Sequence, residues 1–189
     1  MKKTLSTCTA LVLIDIQQGF LESLWGVRNN PQAEEQMAAL LTAWRNAKQP
    51  IIHVQHLSQH TESPLHPSRL GCLFQEFAAP RAGEMIIQKQ VNSAFIGTQL
   101  QNYLSQQQIG RIVLIGLTTD HCVATTARMA GNFGIETDVI ADATATFDRT
   151  GPQGEYYTAQ TMHDTALASL HREFATVTTT AEILTMLIR

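Results

Sequence analysis

The sequence predicts an α/β fold built on a parallel sheet of six strands. Three observations carry this. Short, β-branched apolar runs recur along the chain. They are near-continuous rather than alternating, the pattern of strands buried on both faces. Stretches of helical period separate them, so strand and helix take turns. The strands are expected at 10–14 (ALVLI), 51–54 (IIHV), 85–87 (MII), 112–115 (IVLI), 137–141 (TDVIA) and 175–178 (ATVT). After the first, Met37, Leu40, Leu41 and Trp44 fall at i, i+3, i+4 and i+7, one face of a helix. Residues 97–107 and 157–170 are helical in pattern. Thr180 offers a cap to a last helix, AEILTMLI, with Glu182 in its first turn. Crossovers between parallel strands are right-handed. Residues 56–84, with Pro64, Pro67, Gly71, Pro80 and Gly83, form one long connection. A loop of that length in a compact domain is functional or partly disordered. No repeat or domain boundary interrupts the chain, so residues 1–189 read as one domain.

Composition narrows the function. The chain has 189 residues, 44% of them hydrophobic and only 15% charged, against ~25% charged in ordinary soluble proteins. Thirteen basic and sixteen acidic residues give a net charge of −3, and the basic ones are scattered. No basic face forms, which argues against nucleic acid. No apolar run approaches the ~18 residues of a membrane span. The start, MKKTLSTCTALVLIDI, is interrupted by Asp15 and has no cleavage site of a signal peptide. Cys8, Cys72 and Cys122 are too few for a disulfide framework and odd in number, which points to reduced thiols in a cytoplasm.

In parallel sheets, ligands bind beyond the carboxyl ends of the strands, where strand order reverses. Three residues stand at such ends. Asp15 closes the first strand, where a carboxylate must be paired or hydrogen-bonded; a structural acid capping the next turn is an equal reading. Lys89 follows the third strand, and on its own it can simply snorkel to solvent. Cys122 lies in LIGLTTDHCVATTARMA, between a strand and a helix. A helix start favours the thiolate and offers N–H groups to an oxyanion, although a free cysteine is commonly a small core residue. Cys8 reads as terminal packing and Cys72 as loop. Together, a thiol, a lysine to hold its charge and a carboxylate to move its proton suggest one site.

The blocks ALVLIDIQQGF, IIQKQVNSAFIGTQL, IVLIGLTTDHCVATTARMA and VIADATATF resemble the isochorismatase-like cysteine hydrolases, which include nicotinamidases and carbamoylsarcosine amidases. The resemblance covers nearly the whole chain. It implies a three-layer, doubly wound sheet of order 3-2-1-4-5-6 and an Asp–Lys–Cys triad, matching Asp15, Lys89 and Cys122. It also implies a non-proline cis peptide between Leu117 and Thr118, with the N–H groups of Thr118 and Cys122 as oxyanion hole. Pocket residues would be Phe20, Trp25, Asn92, Phe95, His121 and Phe147, with core packing the alternative for each aromatic. A homo-oligomer, dimer or tetramer, is implied as well.

One departure stands out. Nicotinamidases carry an Asp-Trp-His metal motif after the second strand, where this chain reads HVQHLSQH. His56 falls near the aspartate position and Ser58 near the histidine. His53 and His56 are three apart, so a strand turns them to opposite faces. His56 with a loop histidine, His60 or His66, is the best metal pair available. No metal or other cofactor is expected, and nicotinamide is disfavoured as substrate. Members acting on the isochorismate vinyl ether lack the cysteine, so Cys122 argues against that reaction.

The expected chemistry is hydrolysis of an amide-like C–N bond of a small molecule through a thioester on Cys122. Two rivals are weighed against it. A dinucleotide-dependent oxidoreductase lacks support, because DIQQGF holds no Gly-x-Gly-x-x-Gly. A non-catalytic thiol or binding protein of this fold would be favoured by a Cys122 thiol near the free value of ~8.5. Residues 56–84 and 147–157 are expected to form a lid. Arg128 is expected to pair with Asp142 or Asp138, and His163 and His171 to lie at the surface or a subunit contact.

Overall fold

The computed structural model describes residues 8–187. The lysines near the start and Ile188, in the last expected helix, lie outside the described residues. The elements follow the order β1 (Thr9–Ile14), α1 (Ala33–Ala47), β2 (Ile51–His56), β3 (Met85–Lys89), α2 (Leu100–Gln106), β4 (Arg111–Leu117), α3 (Ala124–Asn132), β5 (Glu136–Ala145), β6 (Arg149–Thr150), β7 (Tyr156–Tyr157), α4 (Ala159–Leu170), β8 (Thr176–Thr178) and α5 (Thr180–Leu187). Six strands form one sheet of order β3-β2-β1-β4-β5-β8, every pair parallel. This is the expected order, with β8 as the sixth strand. The small antiparallel hairpin β6–β7 stands apart from the sheet.

Burial on both sides explains the continuous apolar strands. Val12 and Ile14 of β1 pack with Leu100 and Leu104 of α2, Ala127 of α3 and Leu167 of α4. Leu11 and Leu13, pointing the other way, pack with Met37, Leu40, Leu41 and Trp44 of α1 and Ile183 of α5. Trp44 also donates from Nε1 to the Thr9 carbonyl at 3.0 Å. Helices therefore cover both faces, and strand order reverses beside β1. The last helix is capped one residue earlier than expected. The Thr179 N–H donates to Glu182 Oε2 at 3.0 Å, and the Glu182 N–H to Thr179 Oγ1 at 3.4 Å, a reciprocal capping pair.

Three expected contacts are corrected. Arg128 does not meet an aspartate: it donates to Ser169 Oγ at 2.5 Å and lies 4.8 Å over the Phe174 ring. Arg111 already holds Asp138, at 2.7 Å, and Asp142 accepts from the Thr180 N–H at 2.9 Å. His163 is buried, bonded at 2.9 Å to Thr119 Oγ1. His171 is exposed, as expected, and its Nδ1 accepts from the Val177 N–H at 3.0 Å. The 56–84 connection has short helical turns at Leu70–Cys72 and Glu76–Ala78 and buries Ser58, Leu65, Cys72, Gln75 and Ala78, with exposed stretches between them.

One close approach sets the end of the sheet where the three strand-end residues lie, and one carboxylate ties the opposite end of β3 to α1 and β2. Gly116 pairs with Ile14 across β4 and β1 at φ +118°, and a Cβ there would lie 2.0 Å from the Ile14 carbonyl oxygen. Only glycine permits that approach, which sets Asp15 beside the turn after β4. Glu84, just before β3, binds Arg45 of α1 at 2.7 and 2.9 Å, His53 of β2 at 2.8 Å and the Arg81 N–H at 2.8 Å. Burial works to raise the Glu84 pKa, but these partners outweigh it and bring it from 4.5 to about 2. Burial pushes the His53 pKa down.

Gly116→Ala is expected to cost about 3 kcal/mol and lower the thermal midpoint by roughly 6–12 °C in calorimetry; an unchanged midpoint would show that β1 yields freely. Glu84 has a depressed folded pKa, so its contribution is present above 4.5 and is lost as pH falls toward 2. His53, kept neutral by burial, adds to the acid loss below about 6.5. Urea midpoints measured across this range should fall steeply, and Glu84→Gln should flatten the part below 4.5.

Candidate active site

Asp15, Lys89 and Cys122 meet at the carboxyl edge of the sheet. Asp15 leaves β1 with φ +50°, a conformation that aspartate tolerates. Its N–H donates to the Val54 carbonyl at 3.0 Å. Lys89 ends β3. The turn between β4 and α3 carries Cys122 inside a wide helical turn, Thr119–Val123, in which the Val123 N–H reaches back to the Thr118 carbonyl. The Leu117–Thr118 peptide entering it is cis.

The Lys89 ammonium is the centre of the cluster. Nζ lies 2.7 Å from Asp15 Oδ2, 3.2 Å from Cys122 Sγ, 3.0 Å from His56 Nδ1 and 3.2 Å from the Val91 carbonyl oxygen. The Asp15 and Lys89 side chains are both fully buried. Asp15 Oδ1 has no hydrogen-bond partner among the described residues. An Asp15 oxygen, a His56 ring nitrogen and Cys122 Sγ all lie within 4.8 Å of one another.

The charges follow from this packing. Burial works to discharge Lys89, but Asp15 and Cys122 outweigh it and hold the lysine pKa above its ordinary value. Burial, and then the charge of Lys89, push His56 down, so its ring is neutral. Burial and the Asp15 carboxylate push the Cys122 thiol up, more than Lys89 lowers it. The pull of a helix start toward the thiolate is thus opposed by burial and by the Asp15 charge. The Asp15, His56 and Cys122 donors already surround an ammonium, which a divalent cation would have to displace.

A cavity of about 410 Å³ opens over Cys122, the size of a small-molecule site. Of the six pocket residues that the resemblance implied, Phe20, Trp25, Asn92 and His121 line it, together with Thr118, His56, Ser58, Ser63, Leu65 and Arg149. Phe147 stands behind this lining, its ring 6.2 Å from Phe20 and 5.9 Å from Trp25. Phe95 is not at the cavity. It packs in the core against Phe133, ring centres 5.3 Å apart, because its segment turns inward under the sheet. Asn92 Oδ1 faces Cys122 Sγ at 3.8 Å.

The nucleophile turn is held from outside. Thr119 is bonded to the buried His163, and Asp120 to Thr146 and, at 3.2 Å, to Arg149. Burial opposes the charge on Asp120, but Thr146, His121 and Arg149 lower its pKa below the usual carboxylate value. Arg149, Ser63 and Leu65 carry no local signal in the sequence, and Ser58 only its place near the metal-motif histidine. The sequence offers His56 only as a metal ligand.

Lys89→Met would strand the Asp15 carboxylate without its counter-charge, at an expected cost of ~3–5 kcal/mol in urea unfolding. An unchanged midpoint would show that the pair is not ionised. Asp15→Asn added to Lys89→Met should recover part of the loss.

Comparison with known proteins agrees with this geometry. Residues 9–182 match the model of the isochorismatase domain family. The isochorismatase family protein YrdC of Bacillus subtilis is 43% identical over 180 residues, covering 95% of this chain and 96% of that one. The maleamate amidohydrolase of Pseudomonas putida is 28% identical over 149 residues, 70% of each chain. A crystal structure of an isochorismatase-family hydrolase from Chromobacterium violaceum superposes with a TM-score of 0.95 at 39% identity, covering 99% of this chain and 97% of that one. With a family match over most of its length and a triad-bearing sheet of the same kind, the chain belongs to the isochorismatase family of hydrolases.

Proposed function

We propose that the chain hydrolyses an amide-like, non-peptide C–N bond of a small molecule, with Cys122 as nucleophile. The observation that carries this reading is the cluster of Asp15, Lys89 and Cys122 around one ammonium at the floor of a cavity. Asp15 takes the thiol proton while Lys89 holds the thiolate charge. Sulfur attacks the carbonyl carbon, and the oxyanion is received by the N–H groups of Thr118 and Cys122. Asp15 returns the proton to nitrogen, the C–N bond breaks and the amine leaves. Water gives a proton to Asp15 and adds to the thioester carbonyl, the C–S bond breaks to free the carboxylic acid, and Asp15 returns the proton to the Cys122 sulfur. The relative named maleamate amidohydrolase supports an amide as the substrate class.

Burial and the Asp15 charge push the Cys122 thiol up and so work against the thiolate the reaction needs, though this is not the near-free thiol expected of the non-catalytic rival. That rise, however, describes loss of the proton to bulk water beside a charged Asp15. Transfer to Asp15 moves the proton inside the cluster and leaves its total charge unchanged.

A panel of small amides, carbamoyl compounds and cyclic amides, maleamate among them, should release ammonia or amine. Acid-quenched enzyme should carry an acyl mass on Cys122. Cys122→Ala should lower kcat by at least about a thousandfold; full activity in that variant would sink the mechanism.

A further inference from the structure

His56 is built into the site more firmly than a lining residue needs to be. It ends β2 directly opposite Lys89 in the β2–β3 register, so the two side chains leave the sheet on the same side. Its backbone is gripped by Gln17, a fully buried side chain from the segment after β1. The His56 N–H donates to Gln17 Oε1 at 2.8 Å, and Gln17 Nε2 donates to the His56 carbonyl at 3.0 Å and the Cys72 carbonyl at 2.8 Å. The ring is therefore aimed by both neighbouring strands.

The bond to Lys89 then decides where the ring hydrogen is. An ammonium has hydrogens to give and no lone pair to receive one. At 3.0 Å from Lys89 Nζ, His56 Nδ1 must be the acceptor. An imidazole that accepts at Nδ1 is neutral and carries its hydrogen on Nε2. Nε2 has no hydrogen-bond partner among the described residues, and His56 lines the cavity.

We propose that His56 is a substrate-binding residue, its Nε2–H donating a hydrogen bond to a second acceptor on the substrate, beyond the scissile carbonyl. This rests on the reading of the cavity as an amide-hydrolysing site and narrows its substrate class. The scissile carbonyl is assigned to the N–H groups beyond β4, whereas His56 stands at the end of β2. The substrate is therefore an amide with a further oxygen or nitrogen acceptor on its β2 side. The same bond makes His56 a positioning residue for Lys89. It takes one of three ammonium hydrogens and leaves two for Asp15, Cys122 and the Val91 carbonyl.

Two measurements test this on the full chain. In the first, 15N-histidine spectra at neutral pH, with the His56 signal identified by its loss in His56→Asn, should show Nε2–H and an unprotonated Nδ1. A proton on Nδ1 overturns the proposal. The second compares maleamate, whose carboxylate is a second acceptor, with crotonamide, which has none. Wild-type enzyme should prefer maleamate in kcat/KM by about tenfold, one hydrogen bond to a charged group. His56→Asn retains an acceptor for Lys89 but has no N–H at the Nε2 position, and most of that preference should vanish as a rise in KM. His56→Leu removes both bonds and should lower kcat as well. An unchanged preference in His56→Asn overturns the donor role. If neither amide is turned over, that result counts against these two amides as substrates and not against the role of His56. The same preference is then read as binding to Cys122→Ala through Trp25 fluorescence, where equal affinity for the two amides, or a preference that survives His56→Asn, overturns the proposal.

Discussion

A lysine ammonium whose side chain is fully buried is the constraint to which the rest of the site answers. An isolated buried charge costs several kcal/mol, and only a well-placed counter-charge with further hydrogen bonds offsets it. Lys89 therefore needs the ends of β1, β2 and β4 around it, to bring Asp15, His56 and Cys122 within reach. That convergence in turn requires the close approach of Gly116 to β1 and the parallel register that sets His56 beside Lys89. The ion pair also keeps the cluster neutral as a whole. A proton can pass between sulfur and carboxylate without any net charge being created in a low-dielectric interior.

The nucleophile is held by a second ring of contacts that does not reach the cavity floor. His163 of α4 grips Thr119, and Thr146, just after β5, grips Asp120. Arg149 of the β6–β7 hairpin both binds Asp120 and lines the cavity. The hairpin and α4, outside the six-stranded sheet, thus fix where the sulfur points. Such support is what preorganised catalytic geometry requires.

The sheet was legible because burial on both faces leaves a run of apolar residues that few other structures share. The triad was legible because Asp15 and Lys89 are charges at the ends of such runs, and Cys122 is a thiol between strand and helix. What was not legible depends on direction and on distant partners. Phe95 and His163 sit in segments whose inward face the local pattern does not mark, so one was assigned to the pocket and the other to the surface. Arg128 lost its expected aspartates to Arg111 and Thr180, which arrive from other elements. Gln17 sits in QQGF, where nothing distinguishes it from Gln18; its partners lie 39 and 55 residues away. The charge that works against a thiolate is hidden for a related reason. A helix start announces itself in sequence, whereas the Asp15 charge that opposes it comes from another strand.

The cavity divides its labour between two kinds of backbone. Its floor is made of strand ends locked into the sheet. Its walls are made of the segment after β1, the connection after β2 and the hairpin after β5, which contribute Phe20 and Trp25, then Ser58, Ser63 and Leu65, and Arg149. A change in a wall need not disturb the register that holds the triad. Divergence toward new substrates can therefore proceed by rewriting surface segments, while the bond-breaking apparatus is inherited intact.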